Sequence, residues 1–265
     1  MERISVIFEK VRKERPLVHH ITNWVTIYDC ANVLRTVGAL PVMAHAREEV
    51  SEMTHISSAL VFNIGTLSTG LVESMKIAGK TANKEGKPIV LDAVGAGATS
   101  FRNEKVLELI RELKIDVIKG NRSEIASISG LDVLTRGVES TEVAQDMKEI
   151  AWKLAREREA TVIVTGKEDI VADRNSVYLC QNGHPMMGNI VGTGCMAASL
   201  AGAFAAVDED YAMACLSSLA VFGIAGEIAA GKSFGPGSFK QNLYDALYNL
   251  SGNDIKELVK TEKAA

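Results

Sequence analysis

Asp92, Lys119, Asn121, Glu124 and Thr165 lie at or just past the ends of three short apolar runs, residues 88–92, 116–118 and 161–165. If those runs are neighbouring parallel strands, one sheet edge gathers two carboxylates, a cation, an amide and a hydroxyl. Open α/β sheets bind their ligands at that edge. Carboxylate oxygens suit a hard divalent cation and a lysine suits phosphate charge, so the set reads as a Mg·nucleotide site. The small residues Ala93-Val94-Gly95-Ala96-Gly97-Ala98 after Asp92 leave room for a ligand. Helix capping is the alternative for Asp92 and Glu124, although Asn121 or Ser123 is the more natural cap.

Two glycine-flanked stretches invite a phosphate reading. Gly192-Thr193-Gly194-Cys195 runs into the helical pattern of residues 197–207, where unpaired amides and the helix dipole favour an anion. It also fits a loose dinucleotide fingerprint, but no acidic residue closes a second strand about twenty positions on, which argues against hydride transfer. Gly226-Glu227-Ile228-Ala229-Ala230-Gly231-Lys232-Ser233 matches the phosphate-loop pattern letter by letter. The match lacks its context: the interior residues continue a helix, and Gly235-Pro236-Gly237 follows where a helix should open. A helix C-terminus capped by Gly231, with Lys232 at the negative dipole end, is the reading we adopt.

Apolar runs at 59–64, 88–92, 116–118 and 161–165 are continuous rather than alternating, as in strands covered on both faces. Helical spacing joins them at Ile27/Cys30/Ala31/Leu34, Val106/Leu107/Ile110/Leu113 and Val143/Met147/Ile150/Ala151/Leu154, and places 4, 7, 8 and 11 on one face of a first helix. Residues 170–179 read as a hairpin that adds an antiparallel edge. After Cys195 the pattern is all-helical, over 197–207, 211–230, 239–250 and 255–259, and the charged tail 254–263 reads as a solvated face. This is one α/β domain over residues 1–265, a central mostly parallel sheet with helices on both faces.

The balance of 29 basic against 33 acidic residues, net −4, leaves no basic excess for nucleic acid. Residues 175–207 carry no Asp, Glu, Lys or Arg, yet Pro185 and Gly183, Gly188, Gly192 and Gly194 interrupt them, so they suggest a buried site wall and not a membrane span. Cys30, Cys180, Cys195 and Cys215 form no CxxC pair, and with no export-type leader the expectation is reduced thiols in the cytoplasm. Cys30, Cys215 and Trp152 read as packing, and His19-His20, at the end of an early strand, as hydrogen-bonded structural groups.

Seven segments in order, His19-His20-Ile21-Thr22-Asn23, Leu40-Pro41-Val42-Met43, Asn63 to Leu67, Leu91 to Thr99, Ile118 to Ile125, Val164-Thr165-Gly166 and Gly192 to Cys195, resemble the hydroxyethylthiazole kinase family of the ribokinase-like superfamily. The resemblance implies a ribokinase-like fold without a separate lid domain. It implies Mg²⁺-dependent transfer of the ATP γ-phosphoryl group to the primary hydroxyl of 4-methyl-5-(2-hydroxyethyl)thiazole, in thiamine synthesis or salvage, by a homotrimer with sites between subunits. By motif, Asn23, Val25 and Met43 would shape the thiazole pocket, with Gly65 and Thr66 contributing across the subunit boundary and Gly192 nearby. Lys119, Asn121 and Thr165 would hold ATP, Asp92 and Glu124 would engage Mg²⁺, and Gly192, Thr193, Gly194 and Cys195 would form the anion hole.

Most ribokinase-like enzymes would carry Asp where Cys195 stands. A free thiol has a pKa of about 8.5, so Cys195 becomes a thiolate near neutrality only if the helix dipole and nearby cations depress it. Two departures from the family pattern are Ala93, where proline is expected and whose absence would loosen the loop, and Lys119, where arginine is at least as frequent. The alternatives are another ribokinase-like enzyme, such as a hydroxymethylpyrimidine kinase or a dehydratase of hydrated nicotinamide nucleotides, and a non-catalytic sensor of thiazole or nucleotide.

Overall fold

The computed structural model describes residues 2–130 and 147–264. In chain order the elements are α1 (Glu2–Glu14), β1 (Leu17–Ile21), α2 (Ile27–Thr36), β2 (Leu40–Val42), α3 (Val50–Ile56), β3 (Ala59–Asn63), α4 (Thr69–Glu85), β4 (Ile89–Asp92), α5 (Ser100–Glu112), β5 (Val117–Asn121) and α6 (Arg122–Ile128). From residue 147 come α7 (Met147–Arg158), β6 (Thr161–Thr165), β7 (Asp169–Ala172), β8 (Val177–Cys180), α8 (Thr193–Ala205), α9 (Tyr211–Ala230), α10 (Pro236–Asn249), α11 (Gly252–Leu258) and β9 (Thr261–Lys263), with a 3-10 turn over Pro185–Asn189. The described strands form one sheet in the order β2-β1-β3-β4-β5-β6-β7-β8-β9. It is parallel from β2 to β6 and antiparallel from there on.

Alternate strand residues feed two cores. Val18, Val61, Val90, Val117 and Ile163 face α1, α2 and α8 to α11. Leu60, Phe62, Leu91, Ile118 and Val162 face the layer of α3 to α7. Burial on both sides is why these strands read as unbroken apolar runs. The α8 helix lies close on the sheet because Gly202 has no side chain: a Cβ there would come within 2.5 Å of Val61. The α9 helix is long and apolar enough to cross a membrane, but most of it is buried within the fold.

The four strands and the 170–179 hairpin read from sequence are present, and β6 spans residues 161–165 as expected. Ile4, Ile7, Phe8 and Val11 are the buried stripe of α1. Val143 lies outside the described residues. The expectation that the chain after Cys195 is all-helical is corrected by β9, which pairs antiparallel with β8. The tail is also not wholly a solvated face, since Ile255 is fully buried. A three-residue edge strand shows only one face and one ladder to the fold, so it carries no apolar pattern to read.

Candidate active site

The parallel register places the ends of adjacent strands level: Asn63 pairs with Asp92, Asp92 with Lys119, and Asn121 with Thr165. Asp92 is completely buried and takes the Lys119 ammonium at 2.9 Å on one oxygen and the Asn63 amide at 2.7 Å on the other. Burial pushes the Asp92 carboxyl up to about 6, against the pull of Lys119, and the nearby charge of Glu124 adds to the rise. Burial draws Lys119 down, but Asp92 and Glu124 outweigh it and hold the lysine above its ordinary value. The pair is therefore ionised at neutral pH.

Asn63 is the residue that sequence reasoning passed over. Its amide nitrogen donates to Asp92 and, at 3.3 Å, to the Cys195 sulfur, while its oxygen accepts from the Asn23 amide and the Gly65 backbone, each at 2.9 Å. Asn23 also donates to Cys195 at 3.5 Å. One uncharged side chain thus joins the Asn23–Gly65 corner to the Asp92–Lys119 pair. The signal available in sequence was its place at the end of β3, one strand over from Asp92.

Cys195 stands in the first turn of α8, opposite these groups. Gly192 precedes the helix with φ of 100°, a left-handed conformation natural to glycine, and a Cβ there would meet Thr26 at 2.8 Å. The first helical hydrogen bond runs from Met196 to Gly192, so the amides of Thr193, Gly194 and Cys195 have no acceptor within the helix. A Cβ on Gly194 would lie 3.1 Å from the Lys119 ammonium. Helix amides and a lysine converge where phosphate charge can be held. Burial, together with the charge of Asp92, pushes the Cys195 thiol above its ordinary value. The condition for a thiolate set out above is therefore not met, and Cys195 stays a thiol.

Glu124 sits beside the cap that the sequence favours, Asn121. Asn121 caps α6, accepting from the Glu124 backbone at 2.9 Å, and the Glu124 carboxylate returns to the Asn121 backbone at 2.7 Å, a reciprocal capping box. The cap alternative is thus the observed state of Glu124, whose other oxygen accepts from Gly95 at 2.8 Å. Asn121 commits its oxygen to that cap and is exposed. Thr165 lines a cavity of about 700 Å³ with Asp169, His184, Thr193, Gly194 and Phe222. This cavity ends at the α8 amides, and burial pushes its Asp169 up to about 6.

Gly65 and Thr66 meet Asn23 and Trp24 within one chain, with the Trp24 backbone donating to the Thr66 hydroxyl at 3.1 Å. Val25 leaves 67% of its surface exposed and does not wall a pocket in a single chain. Met43 is half-buried, and His45 ties its carbonyl region to Thr22, next to Asn23. His19 bonds Thr54 and Ala44, His20 bonds Ser199, and burial lowers them to about 4 and about 3, so both are neutral structural groups.

A model of the hydroxyethylthiazole kinase family matches residues 8–253. The chain belongs to the hydroxyethylthiazole kinase family. A hydroxyethylthiazole kinase from Methanosarcina mazei is 53% identical over 253 residues, 96% of this chain and 97% of the relative. The solved structure of the hydroxyethylthiazole kinase protein from Pyrococcus horikoshii, 44% identical, superposes with a TM-score of 0.92 and full coverage of both chains. A ribokinase-like superfamily protein from Enterococcus faecalis, at 12% identity, covers 89% of this chain and 87% of its own with a TM-score of 0.64, a likeness of fold alone.

Against the family pattern, Ala93 does not loosen its loop. Its backbone N–H donates to the Lys119 carbonyl at 2.9 Å and carries the β4–β5 ladder one residue further. Proline has no N–H and would forgo that bond.

Proposed function

We propose that this chain transfers the γ-phosphoryl group of ATP to the primary hydroxyl of hydroxyethylthiazole. The observation that carries this reading is the junction at Asn63, which links the Asn23–Gly65–Thr66 corner to Asp92, Lys119, Cys195 and the α8 amides. The alcohol would lie at that corner and the nucleotide in the cavity ending at Thr193 and Gly194, so the γ-phosphoryl group would pass between them. The family membership and the names of its relatives support the substrate.

The alcohol oxygen attacks the γ-phosphorus as the bond to the ADP oxygen breaks, and the hydroxyl proton passes late to an oxygen of the transferred phosphoryl group. Lys119 and the α8 amides stabilise negative charge on the transferred group. Phosphoryl transfer depends mainly on positioning and electrostatics, so a protonated Cys195 suffices as a neighbour and need not act as a base.

Among the described residues no group of three His, Cys, Asp or Glu side chains is arranged to hold a metal. Asp92 and Glu124 nonetheless fit Mg²⁺, which keeps several waters and is shared with phosphate oxygens. Burial raises Asp92 and the charge of Glu124 adds to that rise, and a cation bound there would oppose both. Bound there, Mg²⁺ would neutralise nucleotide charge.

The unit would be a single ribokinase-like domain without a separate lid, and four free thiols fit a reducing, cytoplasmic setting. Trp24, Val25, Tyr28 and Val191 flank the alcohol corner with most of their surface exposed. A second copy of the chain covering them would complete the pocket, in keeping with a homotrimer whose sites lie between subunits.

The test is to incubate the purified protein with MgATP and hydroxyethylthiazole, with hydroxymethylpyrimidine and no alcohol as controls, and to follow phosphorylated product by mass. Thiazole phosphate that depends on Mg²⁺ is expected. Product from pyrimidine alone would overturn the substrate, and thiazole binding without turnover would make the protein a sensor.

A further inference from the structure

Arg102 occupies the first turn of α5, where the helix dipole disfavours a cation. Among the described residues no carboxylate pairs with it. Its guanidinium instead donates to three backbone carbonyls: Ile64 at 2.6 Å, Val94 at 3.0 Å and Gly65 at 2.7 Å. Ile64 and Gly65 belong to the loop after β3, which carries the alcohol corner. Val94 belongs to the loop after β4, which follows Asp92.

The loops are shaped to admit this group. Gly95 has φ of 77°, and a Cβ there would lie 3.2 Å from the guanidinium. The Gly95 N–H donates to Glu124, and the Gly65 N–H donates to Asn63. Backbone bonds therefore run from Arg102 to both halves of the site, to Glu124 through one loop and to Asn63 through the other. No other side chain described here holds carbonyls of both loops.

We propose that Arg102 is a positioning residue that fixes the spacing between the alcohol corner and the Asp92 loop. This rests on the kinase reading above. A planar fork holds three carbonyls together, whereas an ammonium on a flexible stem cannot hold both loops with the same geometry. Displacing one reacting partner by about 1 Å costs about 10²-fold in rate.

The experiment compares wild type, Arg102→Ala and Arg102→Lys in steady-state turnover of MgATP and hydroxyethylthiazole, with thermal unfolding alongside. For Arg102→Ala we expect kcat/KM for the alcohol to fall about 10²-fold, with KM for ATP little changed, and guanidinium ion at millimolar concentration to restore activity severalfold. For Arg102→Lys we expect a loss of about tenfold at an unchanged unfolding midpoint. If Arg102→Ala does not fold, Arg102→Lys decides. A wild type without turnover would remove the kinase reading and the inference together. An active wild type matched by Arg102→Lys, or an Arg102→Ala loss that guanidinium does not relieve, would overturn the inference alone.

Discussion

The chain holds two glycine-flanked stretches that could be taken for phosphate loops, and the fold sets them at opposite ends of helices. Gly192 to Cys195 opens α8 with free amides beside Lys119. Gly226 to Ser233 closes α9, and its residues up to Ala230 are helical, with their amides engaged by the preceding turn; contrary to the sequence expectation a helix does follow, but α10 opens only at Pro236, beyond the stretch. The second is the better match to a written pattern, yet the first has the anion-binding geometry. The difference is helix polarity: an N-terminus presents donors and a C-terminus presents acceptors. Removing what each stretch contributes should have very unequal effects.

The largest effect belongs to Asp92, the carboxylate facing the α8 stretch. Asp92→Asn keeps the shape but leaves the buried Lys119 unpaired and removes the charge expected to hold the metal. We expect kcat/KM to drop by about 10³-fold or more when phosphorylated product is followed by mass. Metal-free Asp92 takes up a proton near 6, so wild-type kcat/KM at limiting Mg²⁺ should also fall as pH drops through that value. The sign separates this loss from acid unfolding. A carboxyl whose folded value lies above its ordinary one binds its proton more tightly when folded, so its protonation favours the folded state over that window. The acid limb should therefore appear in the rate while Asp92 contributes nothing to a fall in the unfolding midpoint. An Asp92→Asn enzyme as active as wild type would break the comparison outright.

Next comes the turn itself. Gly192→Ala must adopt a left-handed backbone and displace Thr26, at a cost of about 1–3 kcal/mol in stability. Because the turn aims the α8 amides, we expect kcat to fall by about 10²-fold, measured beside the unfolding midpoint.

A smaller effect is expected at Cys195. Loss of a general base would cost about 10²–10⁴-fold, but the thiol is held protonated by burial and by Asp92. Cys195→Ser should stay within about tenfold of wild type. Cys195→Asp should equal or exceed wild type, because a carboxylate there can accept from the same Asn63 and Asn23 amides. A folded but inactive Cys195→Asp would count against this account.

The same contrast explains what could be read from the sequence. Runs 59–64 and 161–165 were legible because burial on both faces demands continuous apolar residues. The α9 limits were legible because Asp210 caps one end and Gly231 follows the other. The strand ends gave up Asp92, Lys119 and Thr165 because a charge or hydroxyl after an apolar run stands out. Asn63 and Arg102 did not stand out. An asparagine at a strand end and an arginine in an exposed-looking helix acquire meaning only from register and from the backbone carbonyls they meet. Glu124 was legible as a carboxylate at the edge, but its capping partner Asn121 depends on where α6 begins, a boundary that periodicity does not fix.

The smallest effect is expected at the α9 stretch. Gly231 is the C-cap of α9, as its position suggested, with φ of −65°, an ordinary right-handed value. The nearest atom to a Cβ there is the Ile228 carbonyl oxygen, at 3.7 Å, which is ordinary contact. Gly231→Ala should therefore fold without strain and gain about 0.4–1 kcal/mol, because alanine narrows the unfolded ensemble. Lys232→Met, paired with it, removes the charge that a phosphate loop could not spare. KM for ATP and kcat of the double variant should match wild type, while the unfolding midpoint rises slightly. A large rise in KM for ATP would mean that this helix end touches nucleotide after all, and that polarity does not decide between the two stretches.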